Sequence, residues 1–277
     1  MITIKAFNKG LICRNFRYEV GKTYEIPKEN VKICKYGFHA SANCNISETI
    51  LYYSLSKDIE YALVDINVID REYDKVVGDK ITIIKKLETI DELIEYDKTG
   101  EWCYYFARDV EGADIKKLQL QTAVIEKDKT GEWCYWFARD IKNANIKRLE
   151  DAVVEKDQSG EWCTYFAEDV KGANIKCLED AVIEKDKDGK WCYYFADIKG
   201  ADIKKLQTAV IEKDKTGEWC YWFAVDIKGA DIKKLEDVII EKDKEGEWCY
   251  NFAKYIEGAN IRKLEKVVEE RIKKDVK

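Results

Sequence analysis

The chain has 277 residues, 46% of them hydrophobic and 37% charged, which is enough to bury a sizeable core. Its 48 basic and 54 acidic residues leave a net charge of -6, which argues against default binding to a phosphate backbone. The sequence shows no signal-peptide pattern and no apolar run of membrane-spanning length. We therefore expect a cytosolic protein whose ten cysteines are reduced.

Residues 1–86 predict a small α+β domain. β-Branched and aromatic residues predict strands in ITIKAF (2–7), LICRNF (11–16), YALVDINVI (61–69) and KITIIKKL (80–87). The stretch NISETILYYSL (45–55) predicts the one clear helix of this domain. We place the boundary with the remaining chain, 87–277, at about 86 to 90.

Cys13, Cys34, His39 and Cys44 are the residues from which a zinc site could be built. The C-x4-H-x4-C spacing around His39 is looser than that of short zinc loops, and Cys13 would have to come from another strand. We therefore expect no metal. His39 is the only histidine, which leaves few candidates for general acid–base catalysis. We expect it to be a structural residue hydrogen-bonded beside the predicted helix.

Two stretches of this domain carry a family resemblance. KAFNKGLICRNFRYEVGKTYE (5–25) and CKYGFHAS (34–41), followed by a helix with Tyr52 and Tyr53, resemble an uncharacterised domain of phage and prophage proteins. The resemblance implies a phage or prophage origin, hence the bacterial host cytosol, and supplies no established activity. Family members often carry a cysteine directly after GFHA, where this chain has Ser41.

A second, fainter similarity gives an enzymatic alternative. GFHAS (37–41) followed by paired tyrosines is similar to the nicotinamide-pocket segment of ADP-ribosyltransferases. Arg14, Tyr24 and His39 match the rest of that pattern only loosely, and no convincing late glutamate motif follows. We expect a non-enzymatic domain without a cofactor, with an ADP-ribosyltransferase-like enzyme as the alternative.

Residues 87–277 repeat one unit about six times. Strings such as EWCYWFARD follow glycines at intervals of 28 to 31 residues, which is the signature of a solenoid; these glycines are Gly100, Gly131, Gly160, Gly189, Gly217 and Gly246. TIDELIEYD (89–97) predicts a lone capping helix before the first unit. The predicted fold is an α-solenoid of helix-turn-helix repeats of about 29 residues.

The residues between the helices support this interpretation. In the second unit, helices are predicted from about Trp133 to Ile141 and from Ile146 to Lys156. Glycine or asparagine after each first helix favours a left-handed C′ residue, at Gly112, Asn143, Gly172, Gly200, Gly229 and Gly258. Two residues later comes an N-cap residue, namely Asp114, Asn145, Asn174, Asp202, Asp231 or Asn260. Asp-x-x-Gly, as at 128–131, favours a type I turn between units.

Two units depart from the pattern. Leu120 and Gln121 look inserted in the first unit, and the fourth unit lacks one residue near the end of its first helix. We expect a bend or a shift of register at both places. In the last unit, Asn251 and Tyr255 replace an aromatic ring and an aspartate, as expected of a terminal cap.

Each unit has one cysteine on the apolar face of its first helix. We expect these side chains to pack between hairpins and to bind no metal, because each first helix offers a single cysteine and the array has no histidine; they are Cys103, Cys134, Cys163, Cys192, Cys220 and Cys249.

The aromatic residues of the first helices are the candidate binding site. The fifth helical position, predicted at the edge of the buried face, holds Tyr105, Trp136, Tyr165, Tyr194 and Trp222. The fourth position, predicted to turn further outward, holds Tyr104, Tyr135, Thr164, Tyr193 and Tyr221. These rings either fill the grooves between units or form a ladder for a partner, since Tyr and Trp dominate binding hot spots.

Together these patterns predict a non-enzymatic binding protein whose array contacts another protein. The resemblance of 5–25 and 34–41 implies that the chain is phage-derived and that the partner is a host protein. The concrete version of this expectation is an inhibitor of a bacterial defence system, such as an anti-CRISPR-like protein. Nucleic acid is not the expected ligand, because the fifth unit (217–245) has five lysines against eight acidic residues. The alternatives are the ADP-ribosyltransferase-like enzyme, with repeats that recruit its target, and a structural or scaffold phage protein.

Overall fold

A computed structural model describes residues 1–50, 52, 53, 55 and 58–275; the side chains of 114, 115 and 273–275 lie outside this description. The chain divides into two compact units, Met1–Asn145 and Ile146–Lys277. The first unit holds the strand-rich segment, the first helical hairpin and two further α-helices, one before and one after that hairpin, and the second unit holds the remaining helices. The expected combination of a strand-containing domain and a helical repeat array is confirmed.

The N-terminal segment is a half-barrel of antiparallel strands. The strands are β1 (Ile2–Asn8), β2 (Ile12–Cys13), β3 (Phe16–Arg17), β4 (Thr23–Glu25), β5 (Phe38–Ser41), β6 (Ile59–Arg71) and β7 (Lys75–Leu87). Their order is β3-β2-β1-β6-β7-β4, and β5 also pairs with β7. Phe7, Ile66 and Ile81 are among the fully buried side chains of its core.

The predicted helix over 45–55 is not an α-helix in the residues that the structure describes. Ile46–Thr49 forms a 3-10 turn, in which the Asn45 side chain accepts the N–H of Ser47. Leu51 and Ser54, which belong to the same prediction, lie outside the described residues. The short Asn45 side chain favours this local turn because it caps the N–H two residues on.

The array consists of paired helices after a lone helix, α1 (Ile90–Glu95), which begins with the capping box of Thr89 and Glu92. The first helices of the pairs are α2 (Glu101–Asp109), α4 (Glu132–Asp140), α6 (Glu161–Asp169), α8 (Lys190–Phe195), α10 (Glu218–Asp226) and α12 (Glu247–Tyr255). The second helices are α3 (Lys117–Lys127), α5 (Ile146–Lys156), α7 (Ile175–Lys185), α9 (Ile203–Lys213), α11 (Ile232–Lys242) and α13 (Ile261–Asp275).

The predicted turns between the two helices of a repeat are confirmed. All six predicted C′ residues have positive φ, and even the non-glycine residue Asn143 reaches 62°. The N-cap prediction holds in four repeats, where the side chain accepts a backbone N–H three residues on; these are Asn174, Asp202, Asp231 and Asn260. The side chain of Asp114 lies outside the described residues.

The turns between repeats depend on a buried aspartate. Asp157 is 2% exposed, and its Oδ1 accepts the N–H groups of Ser159 and Gly160 at 2.9 and 3.0 Å. Its Oδ2 accepts the N–H of Cys163, in the first turn of α6, at 2.9 Å. Backbone N–H groups at the start of a helix otherwise have no partner within the helix. The same bonds to the glycine and the cysteine recur at Asp97, Asp128, Asp186, Asp214 and Asp243.

A second buried polar side chain joins each repeat to the next. Glu179 on α7 accepts the N–H of Asp202, just before α9, at 2.6 Å. Gln207 on α9 accepts the N–H of Asp231 at 2.8 Å and donates to the carbonyl oxygen of the same residue at 3.2 Å. Gln121, Glu150 and Glu236 hold equivalent positions.

The first and fourth repeats, which differ in length from the others, take up the difference in a turn and at a helix end. Leu120 is buried and Gln121 binds Asn145, so both occupy regular positions, and the extra length of the first unit forms the 3-10 turn Ala113–Lys116. The missing residue shortens α8 to Lys190–Phe195, whereas the following α9 has the usual length of 11 residues. The differences are therefore local to the turn and to the helix end.

Candidate functional site

Four of the five predicted fourth-position residues are buried, which corrects the prediction that they turn outward. Tyr104, Tyr135 and Tyr221 are buried, as is Thr164, while Tyr193 is half-buried. The reason is contact with the next repeat. Tyr104 packs against Trp133 with ring centroids 5.7 Å apart, and its hydroxyl donates to Asp140 at 2.6 Å.

The same arrangement is found in the fourth repeat, which lies in the compact unit Ile146–Lys277. Tyr193 packs against Trp219 at 5.7 Å and donates its hydroxyl to Asp226 at 2.5 Å. Burial, followed by the bond to Asp140 or Asp226, raises the pKa of both Tyr104 and Tyr193. These tyrosines therefore stay protonated as donors and join neighbouring repeats.

The fifth-position rings are the more accessible set. Tyr105, Trp136 and Tyr165 are half-buried, whereas Tyr194 is 47% exposed and Trp222 is 38% exposed. Tyr165, Trp191 and Tyr194 form a continuous row, with centroid distances of 5.7 and 5.6 Å. Exposure thus rises towards the fourth and fifth repeats.

In the first two repeats, an arginine of the same helix covers the fifth-position ring. The guanidinium carbon of Arg108 lies 4.6 Å from the ring centroid of Tyr105, and that of Arg139 lies 3.9 Å from the centroid of Trp136. Both distances are within the range of a cation–π interaction. Each arginine also pairs with the aspartate that follows it, which fixes the guanidinium over the ring.

Later repeats lack this arginine. Its position is Glu168 in the third repeat and Val225 in the fifth, and the missing residue removes it from the fourth. Within the described residues, no side-chain cation lies over Tyr194 or Trp222. Val225, three residues after Trp222, is itself 42% exposed.

A groove of about 970 Å³ lies beside the shortened helix α8. Its aromatic lining comes from Tyr165, Trp191, Tyr193 and Tyr194. Its acidic lining comes from Glu161, Glu168, Asp197 and Asp226, against which stand Lys190 and Lys199. The groove therefore combines rings with an excess of negative charge.

The six cysteines of the first helices are fully buried, as the sequence predicted, whereas Cys177 on α7 is half-buried. Burial, followed by the nearby aspartate carboxylate, raises the thiol pKa, to about 12 at Cys249 and further at Cys163, Cys192 and Cys220. A raised pKa suppresses the reactive thiolate. These cysteines are packing residues.

The zinc candidates of the N-terminal domain form no metal cluster among the described residues. The Cys13 thiol lies 3.2 Å from the Tyr53 hydroxyl, and the Cys34 thiol faces Glu72 at 3.8 Å. The Nε2 of His39 accepts the N–H of Cys34 at 3.0 Å, and its Nδ1 lies 3.1 Å from the carbonyl oxygen of Gly37. Burial and then the Lys5 ammonium lower the pKa of His39, so the neutral ring closes the loop before β5.

Beside His39 lies a second cavity, of about 470 Å³. Residues distant in sequence line it, among them Lys5, Cys13, Arg14, Tyr53 and Lys75. The sequence singled out Cys13, Arg14 and Tyr53 for other reasons and missed Lys5 altogether. The sequence does contain a signal for Lys5, since this lysine lies between the apolar residues Ile4 and Ala6 in a stretch predicted to be a strand.

The comparisons with known proteins concern the N-terminal domain alone. A family described as a domain of unknown function (DUF7666) matches residues 1–95. No curated protein and no solved structure matches the chain. Among the described residues, no helix is long and apolar enough to cross a membrane.

Proposed function

We propose that this DUF7666-containing chain is a protein-binding array, and that its partner presents an arginine-bearing segment to the rings of the fourth and fifth repeats. The observation that carries the proposal is the stacking of Arg139 on Trp136 at 3.9 Å, whose counterpart is missing at Trp222. An incoming arginine can occupy the place over Trp222 that Arg139 occupies over Trp136.

The charge of the neighbouring groove supports the same partner. Four carboxylates and two lysines line it, so a basic segment would meet an excess of negative charge. Each stacked arginine contributes about 0.5–2 kcal/mol, depending on how completely water is removed. Several such contacts along the row Tyr165–Trp191–Tyr194 would combine into a specific interface.

The proposal is tested by introducing an arginine into the chain itself, next to the Trp222 ring, so that it covers the ring in place of the partner. Val225→Arg supplies the fifth repeat with the arginine of the second and so competes with the partner. Leu118→Arg is the matched control, because Leu118 is 67% exposed on α3, outside the groove, and the charge change is identical. The third variant replaces Tyr194 and Trp222 together by alanine.

Tagged proteins are compared for capture from a lysate of the native host, after circular dichroism has verified folding, and affinity for the captured protein is then measured. We expect the Leu118→Arg variant to retain the protein, and the other two to lose affinity by about tenfold or more. Equal retention by all variants would refute the proposal.

The identity of the partner as host machinery is a further part of the proposal. It is supported by the resemblance of 5–25 and 34–41 to phage and prophage proteins. An anti-CRISPR-like inhibitor would bind a defence complex and lower its activity in a purified assay. Recovery of the chain in purified virus particles would instead favour the structural or scaffold function.

The enzymatic alternative is favoured by one observation, the cavity beside His39 with Tyr52 and Tyr53 in its wall. An ADP-ribosyltransferase-like domain would be stabilised by NAD, and His39→Ala would remove the effect. Absence of a thermal shift with NAD counts against the enzyme and leaves the array proposal unaffected.

A further inference from the structure

The cavity of the N-terminal domain contains a buried cation with little compensation. Lys5 is 6% exposed, and its ammonium donates to the carbonyl oxygen of His39 at 2.8 Å and lies 5.1 Å from the Phe7 ring centroid. Among the described residues, no carboxylate lies within ion-pair distance of it. Burial lowers the pKa of Lys5, an effect that the adjacent Cys13 thiol partly opposes. A buried charge without a counter-charge is costly.

A second cation at the cavity, Arg14, is exposed but likewise has a backbone carbonyl as its partner. Arg14 has a left-handed backbone, with φ of 48°, and its guanidinium donates to the carbonyl oxygen of Lys35 at 3.0 Å. No ion pair is found for it in the described part of the chain. Two cations with carbonyl partners therefore line one cavity.

The acidic groups of the cavity wall are already hydrogen-bonded. Glu48 accepts the backbone N–H of Asn43 at 3.1 Å and also its side-chain amide. Asp74 accepts the Tyr52 hydroxyl at 2.5 Å. Lys75 differs from Lys5 because it pairs with Glu72 at 2.8 Å.

We propose that the cavity binds a small molecule with an anionic group, a carboxylate or a phosphate, against Lys5 and Arg14, and a planar apolar body against the aromatic wall. Tyr18, Phe38 and Tyr53 supply that wall, and the volume of about 470 Å³ is in the range of small-ligand sites. This site is independent of the array and requires no catalysis.

Four probes separate the anionic group from the planar body: benzoate with its neutral analogue benzamide, and AMP with its neutral analogue adenosine. Binding to the full-length protein is measured by ligand-observed NMR. Protection of Cys13, which lines the cavity, from iodoacetamide locates the ligand. Inorganic phosphate, added as a fifth probe, reports the anionic group alone.

We expect benzoate or AMP to bind and to protect Cys13, and their neutral analogues to bind about tenfold more weakly or worse. Binding of benzoate alone identifies a carboxylate ligand, and binding of AMP alone a phosphate. Lys5→Met, which preserves the length of the side chain, should abolish the preference for the anion. Arg14→Gln, at an exposed position, tests the second cation without disturbing the core.

Lys75→Met is the matched control, since it removes a cavity-lining lysine that already has a carboxylate partner. Equal binding of the anion and its neutral analogue, or unchanged anion binding in Lys5→Met and Arg14→Gln, would overturn the proposal. So would the absence of binding by every anion up to about 10 mM, where millimolar affinity is still detectable.

Discussion

The two regions of the chain treat buried polar groups in opposite ways. In the array, the carboxylate of Asp157 accepts three backbone N–H groups within six residues, so burial leaves the charge well compensated. In the strand-rich domain, the Lys5 ammonium has a carbonyl oxygen as its hydrogen-bonded partner and faces a cavity. The difference indicates that the buried aspartates of the array stabilise the fold, whereas Lys5 is placed to bind a ligand.

The largest loss of stability is expected on removal of Asp157, because its buried carboxylate accepts three backbone N–H groups. Asp157→Ala leaves two buried and one partly buried N–H groups without an acceptor, and we expect the free energy of unfolding to fall by about 3 kcal/mol or more. Urea unfolding followed by circular dichroism measures the loss. The matched control, Asp151→Ala, removes a carboxylate that is 58% exposed and paired with Lys147. Its effect should stay within about 0.5 kcal/mol; equal losses would refute the role of Asp157.

Thiol reactivity should separate the same two regions. Burial and the adjacent aspartate raise the pKa of Cys163, Cys192 and Cys220, whereas Cys34 is exposed. In native protein at about pH 8, iodoacetamide should modify Cys34 at least about tenfold faster than these array cysteines. Mass spectrometry of peptides measures each rate, and urea should remove the difference. Comparable native rates would contradict the burial of the array thiols.

The strand-rich domain should respond to acid through His39. Since burial lowers its pKa in the folded chain, the unfolded chain binds the proton more readily as the pH falls below about 6.5. The stability is therefore unaffected above that pH, where both states are neutral, and decreases below it.

Because His39 is the only histidine, the effect can be isolated. Urea unfolding of the wild type and of His39→Gln at about pH 7.5 and about pH 5.5 measures it. The wild type should lose more stability between the two pH values than the variant does. An equal loss would show that the neutral ring is not required for the loop before β5.

The smallest change in stability is expected at the Glu or Gln side chain that bonds one repeat to the next. Glu150 accepts the N–H of Asn174 through Oε2, while its buried Oε1 has no hydrogen-bond partner and lies 3.7 Å from the Lys147 ammonium. Glu150→Gln can add the donor bond that Gln207 makes, and should raise the free energy of unfolding by about 0.5–1 kcal/mol. The reciprocal change, Gln207→Glu, should lower it. Identical signs in the two variants would contradict this account.

The sequence predicted the array in detail because its signals are local. Glycine at 172, followed by Asn174, marks a turn and a cap that involve neighbouring residues alone, and the structure has both. The predicted outward orientation of Tyr104 is wrong. Its side chain contacts Trp133 and Asp140 of the next repeat, and a helical wheel of one helix does not include these residues. The Asp-x-x-Gly pattern predicts a turn and not a helix cap. The additional N–H that the aspartate accepts belongs to the cysteine six residues on, as at Asp157 and Cys163, and this residue lies outside the four-residue pattern.

The cavity could not be predicted, because its residues meet through strand pairing. Lys5 on β1 and His39 on β5 are 34 residues apart, and Cys13 and Tyr53 are 40 apart. The strand segments themselves were predictable from their β-branched and aromatic composition. Their register determines which side chains share the cavity, and no local pattern reports that register.

The sharing of bonds between repeats has a consequence for how the array can change its length. An aspartate closes each turn, and one Glu or Gln connects a repeat to the next, as at Glu179 and Asp202. Recombination between near-identical copies would therefore delete or add whole modules of about 29 residues while recreating the same joint each time. Because the first and fourth copies tolerate small length changes at their turns and helix ends, even imperfect crossovers are expected to yield folded arrays.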